Sequence, residues 1–408
     1  MVIAVRTAHA GNCMANERSR SMSLAKPVGA GLVFGAALGV LYTAARHYGR
    51  DRANEIIDWN RVTSVALRTS GGAQRMSEGQ RAASESDYSA MLAEISAPLS
   101  EYTGSDLRLA DTPVQALDRA AWIQTNVESF RHLLRPFEEL YRDATGSGGS
   151  TQFAFPGMTA VGRLALSTEM GVLLGYLARR VLGQYDIGLL GVEQTEPGKL
   201  YFVEPNVTGV QQQLGLPPRE FRVWLALHEA THAHEFEGHP WVRGYMNDTL
   251  QTYLNSMVES LRESGSANSI REIVGRAADR LWIGGSLLDA LMTPYQRELV
   301  SRLQAFMCVM EGYSNHVMQA VGSKLLPHFD EIERQIEARS REKSAAEQLF
   351  LRLTGLQMKL DQYRLGTAFV NNVEQQRGIA FVNRLWEDPS NLPTELEIRE
   401  PAKWMQRM

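Results

Sequence analysis

Along most of this chain, apolar residues recur every three or four positions, the spacing that lines one face of an α-helix. The pattern predicts helices over 58–70, 85–100 and 113–144, with Ala116, Ala120, Ile123, Val127 and Phe130 marking the third stripe. A long apolar helix is predicted over 159–182, and others near 217–236, 245–263, 268–282, 295–322, 327–349 and 367–385. Pro217 and Pro218 suit a helix first turn, where a missing backbone N–H costs nothing. One region breaks the helical period. Residues 185–191 and the run LYFVE at 200–204 flank the turn-prone TEPGK, which predicts a β-hairpin. GSGGS at 146–150 predicts a surface loop, and the densely charged run 331–347, with both signs mixed, a solvated helix face. The expected fold is mainly α, many-helixed, with one small β-hairpin.

Residues 27–45 (PVGAGLVFGAALGVLYTAA) form a 19-residue stretch without a charge. That reaches the lower end of a membrane span, and Gly31, Gly35 and Gly39 would make a small-residue face for close helix packing. Basic residues flank it on both sides, so no orientation is legible. A membrane-anchoring helix and a packed apolar helix are both open, with a cleaved signal segment a weaker third option. The chain divides accordingly into an N-terminal extension, 1–52, and one helical domain, 53–408. That domain is read as cytoplasmic, with membrane association through residues 27–45 as an option.

Composition removes several classes of function. The 408 residues carry 42 Lys and Arg against 46 Asp and Glu, a net charge of −4, so the basic excess of a nucleic-acid binder is missing. Two cysteines, Cys13 and Cys308, exclude a disulfide framework and a cysteine-rich zinc site. Histidine placement is the exception: four of the nine, His228, His232, His234 and His239, fall within twelve residues.

Residues 228–232 read His-Glu-Ala-Thr-His. On a helix, His228 and His232 lie one turn apart on one face, so both imidazoles can bind a single metal ion. Glu229 then stands beside the open coordination position, where it can act as general base on a water. The surrounding helix is apolar nearly all round and so should be buried, and buried imidazoles and carboxylates need partners.

A third ligand is required. His239 follows His232 by seven residues, where metalloproteases of the pattern H-E-x-x-H-x-x-G-x-x-H need six. His234, two residues past His232, falls about 200° around the helix and faces away. Glu311 is the better candidate: it borders a core stripe of Val300, Leu303, Met307, Met310, Ser314, Val317 and Val321, where a carboxylate should be paired. Gly312 beside it points to close approach of another backbone, and Asn315 could steady the carboxylate. His316 is the reserve candidate.

Longer stretches carry a resemblance. IDWNRV at 57–62, VLGQYDIGLLG at 181–191, LYFVEPNV at 200–207, HEATHAHEFEGHPWVRGY at 228–245, MEGYSNHVM at 310–318, and GLQMKLDQYRLGTAFVN with NRLWEDPSNLPTELEIREPAKW near the end resemble a bacterial zincin-like metallopeptidase family. Its members are also labelled hydrolases or deazaflavin-coenzyme-biosynthesis-associated proteins. The resemblance runs from Ile57 to the C-terminus. It implies a mainly helical zincin domain with Zn2+ on His228 and His232, Glu229 as catalytic residue, and the glutamate of the Glu-Gly-Tyr segment, Glu311, as third ligand. The expected activity is zinc-dependent hydrolysis of a peptide or protein substrate. Tyr313, His316 and Tyr185 are candidate donors to a developing oxyanion. A non-proteolytic zinc-binding interaction module and an amidase acting on a small metabolite are the alternatives. Oligomeric state is not legible.

Overall fold

The computed structural model describes residues 56–72, 75–105, 109–139, 160–185, 198–263, 292–341 and 356–408. The apolar stretch 27–45, the 146–150 loop, the connection between the two predicted strands and the helix near 268–282 lie outside them. No described helix is long and apolar enough to cross a membrane.

The predicted helical pattern is realised, with shifted ends. The described elements begin with α1 (Trp59–Thr69), α2 (Glu78–Thr103), strand β1 (Val114–Leu117), α3 (Arg119–Leu133) and α4 (Ala160–Ala178). Strands β2 (Gly183–Tyr185) and β3 (Leu200–Val203) follow, then α5 (Glu204–Leu214), α6 (Pro218–Glu237) and α7 (Pro240–Glu263). The last part holds α8 (Pro294–Val317), one π-helical turn (Met318–Gly322), α9 (Phe329–Arg341), α10 (Leu356–Arg377) and short helical turns to Arg407. Caps fix several ends. Ser77 with Gln80 and Thr293 with Gln296 form capping boxes, which satisfy two otherwise orphaned N–H groups apiece.

The sheet corrects one expectation. Val114 to Leu117, predicted as helix, form a strand, because Asp118 caps the following helix by accepting from the Ala121 N–H and so holds off its start. β2 meets the predicted strand 185–191 only at Tyr185, the rest of that strand lying outside the described residues; it runs antiparallel to β3, with Tyr185 opposite Leu200. β1 adds in parallel on the other side of β3, giving the order β1-β3-β2.

β3 is buried on both faces. Leu200 and Phe202 point into the larger core, built around α2, α6, α8 and α10, while Tyr201 and Val203 point into a smaller one with α1, α3 and α4. The period-2 alternation of a strand thus separates two cores. Glycines set two tight helix crossings. A Cβ on Gly175 of α4 would lie 2.7 Å from the Ala66 carbonyl oxygen of α1. A Cβ on Gly312 of α8 would lie 2.3 Å from the carbonyl carbon of Gly366 of α10, so only glycine permits this approach.

Candidate metal centre

Helix α6 runs through the larger core, and every residue from Val223 to Phe236 is buried. Its buried apolar residues all belong to the larger core, so the burial of His228, Glu229 and His232 is imposed by their neighbours. Phe221, Trp224 and Leu225, for example, are at most 3% exposed. Each such side chain contributes about 1.5–3 kcal/mol through burial, enough to carry polar groups into the interior with it.

The structure brings His228, His232 and Glu311 together. One ligand atom from each lies within 4.8 Å of the others, and all three residues are buried. The Nε2 atoms of His228 and His232 stand 3.2 Å apart with their rings nearly perpendicular, at 85°. Glu311 Oε2 approaches His228 Nε2 to 3.9 Å from α8.

The far sides of both rings are held. His232 Nδ1 meets Glu235 Oε2 at 2.7 Å and Ser314 Oγ at 2.9 Å, and Ser314 also donates to Glu235 Oε1. His228 Nδ1 meets the Met318 sulfur at 3.0 Å. If both Nδ1 atoms donate, the two Nε2 atoms, 3.2 Å apart, present bare lone pairs to each other. Such a contact is repulsive unless a cation lies between them. Two imidazole lone pairs and a carboxylate converging in the interior are a donor set that fits a divalent zinc ion.

Electrostatics agree with that fit. Burial, then the nearby negative charge of Glu311, pushes the Glu229 carboxyl up to about 8. The Tyr185 backbone N–H pulls the other way, yet neither Glu229 oxygen completes a hydrogen bond among the described residues. Burial and Glu311 likewise hold Glu235 well above the usual carboxylate range, and burial and His228 hold His232 well below the usual histidine range. Three acids crowded into a dry interior call for positive charge.

Glu229 projects from α6 beside the cluster, against β2. A Cβ on Gly183 would lie 2.8 Å from both Glu229 Cγ and Oε1, so the strand leaves room for the carboxylate only by having no side chain there.

Several other expectations are relocated. Asn315 donates to Thr367 Oγ1 on α10, which corrects the expectation that it steadies the Glu311 carboxylate. His316 is tied to Tyr102 by Nε2 and to Asn371 by Nδ1, and lies outside the convergent group. The three proposed oxyanion donors all bond elsewhere: Tyr313 to Asn383, His316 as above, and Tyr185 to Glu237. His234 and His239 meet edge to face outside the convergent group, rings 5.4 Å apart. Glu235, Ser314 and Met318 were not singled out for the site from sequence. The only signal was their spacing, Glu235 three after His232, and Ser314 and Met318 three and seven after Glu311.

A buried His-Glu-x-x-His helix crossed by a glutamate-bearing helix brings together residues that could hold a metal ion. Comparison with known families agrees: residues 57–405 match a family described as zincin-like metallopeptidase, and the chain belongs to that family. Among solved structures it is similar to one titled "a putative hydrolase with a novel fold" from Chloroflexus aurantiacus. The likeness has 39% sequence identity and a TM-score of 0.63, covering 86% of this chain and 98% of that one. A search of curated proteins gave no match.

Proposed function

We propose that the protein is a zinc-dependent peptidase, with His228, His232 and Glu311 holding the metal and Glu229 as general base. The observation that carries the reading is the convergence of three electron-pair donors beside a buried carboxylate whose oxygens have no hydrogen-bond partner among the described residues. A zinc ion bound there would supply a Lewis acid and a water of lowered pKa. The chain's own residues do the rest. Glu235 and Ser314 orient the His232 ring with Nε2 inward. Glu229, held against Gly183, is placed to take a proton from the attacking water and pass it to the leaving amine. β2 is an edge strand of the described sheet, which supports a peptide as substrate, since an extended chain pairing along that edge would run beside Glu229.

The test is to incubate zinc-loaded protein with a peptide library. Cleavage that disappears on chelation and in Glu229→Gln is expected. An untouched library, or turnover confined to small amides, would overturn the peptidase reading.

A further inference from the structure

We infer that Met318 is a positioning residue for the metal centre, its thioether accepting the Nδ1 proton of His228 and so turning that ring's Nε2 inward. The inference rests on the zinc reading above and adds a role for a residue outside the ligand set.

The geometry starts from one stripe. Glu311, Ser314 and Met318 are spaced three and seven residues along α8 and its continuation, so they share a face. Each touches the α6 site residues: Glu311 approaches His228, Ser314 bonds His232 and Glu235, and Met318 lies against His228. At Met318 the helix changes to a π-helical turn, the kind of local irregularity that recurs at functional sites. The turn is seated tightly. A Cβ on Gly322 would lie 2.5 Å from the Phe329 ring and 3.4 Å from Leu227, the residue before His228. Met318 itself is 1% exposed, so water does not compete for the imidazole.

The chemistry follows from the 3.0 Å contact. A bare Nδ1 lone pair there would oppose the sulfur lone pairs, whereas an Nδ1–H donates to them, so the thioether selects the Nδ1–H tautomer. The two ligand rings are then held unequally. His232 has a carboxylate and a hydroxyl behind it; His228 Nδ1 meets the weak, neutral thioether of Met318. The arrangement orients His228 without adding a further negative charge to a site already holding three carboxylates.

Two measurements test this in the full-length protein. Nitrogen-15 NMR of the metal-free form reads the His228 tautomer, and chelator competition reads zinc affinity. Met318→Leu, which keeps the apolar volume and removes the acceptor, is expected to mix the tautomers and weaken zinc about tenfold, the low end for an outer hydrogen-bond partner. Met318→Gln, whose amide oxygen can accept the same proton, is expected to restore both. A leucine variant with the wild-type tautomer and affinity, or a glutamine variant no better than leucine, would overturn the role of Met318. His232→Ala separates the two readings: if it still binds zinc as wild type does, the metal assignment fails, while the tautomer measurement judges Met318 on its own.

Discussion

Two histidine pairs on one segment differ in what surrounds them. His228 and His232 lie 4.7 Å apart with rings at 85°; His234 and His239 lie 5.4 Å apart at 78°. The mutual geometry is nearly the same. The first pair faces Glu311, with Glu229 and Glu235 close by. The second is packed by rings, His234 against Tyr313 and His239 against Trp386, which close a four-ring cluster through their own contact. Burial pushes His234 down to about 4, with His239 adding to it, and burial also lowers His239. The lesson is that two neighbouring imidazoles do not make a metal site. Surrounding carboxylates, with ring nitrogens oriented by partners behind them, give the first pair its chemistry; aromatic walls give the second pair packing.

The largest effect should separate the pairs outright. His228→Ala, His232→Ala and Glu311→Ala are each expected to lose zinc by metal analysis, while His234→Ala and His239→Ala keep it. Unchanged stoichiometry in Glu311→Ala would move the third ligand elsewhere. Next, Glu229→Gln should retain zinc but lose about 10²–10⁴-fold in hydrolysis, the range for a general base; full turnover in that variant would sink the assignment. Gly183→Ala tests the strand behind that base. Its methyl group would displace the Glu229 side chain, so turnover should fall up to about 100-fold with metal content unchanged. An unaffected rate would show that the carboxylate tolerates the shift.

Stability effects follow. Gly312→Ala must push α8 and α10 apart, and should cost about 2–3 kcal/mol in denaturant unfolding. A variant as stable as wild type would remove the argument for backbone contact at that crossing. The smallest effect concerns the second pair and acid. His239 sits below its ordinary value because burial disfavours its charged form. Both states are neutral there above about pH 6.5. As pH falls through that value the unfolded chain takes up the proton first, so stability drops until the native imidazole also protonates. His239→Gln should therefore show a shallower loss of melting temperature on acidification, and an equally steep loss would count against this cause.

Much of this site was legible in the sequence because it is local. His228, Glu229 and His232 are set by one helical turn, and Gly312 announced the tight crossing beside Glu311. What was hidden depends on pairing between distant segments. Glu235 lies on a helix whose burial the sequence predicts, but its partner Ser314 comes from a distant segment that only the fold brings to it. Gly183 reads as a loop glycine until β2 lies against Glu229. Val114–Leu117 carries an ordinary helical pattern, and only the Asp118 cap with β3 alongside makes it a strand. Tyr313, His316 and Tyr185 had suitable chemistry for an oxyanion, but each has its polar atoms bonded elsewhere.

The near-contact of Gly312 with Gly366 has a consequence for metal exchange. Glu311 sits one residue from the point where two helical backbones meet, so its position is fixed by the folding of α8 onto α10. The backbone that carries Glu311 is then in place before any ion arrives. Zinc uptake should proceed in one fast phase, and hydrogen exchange of the α8 amides should be nearly the same in the metal-free and metal-loaded protein.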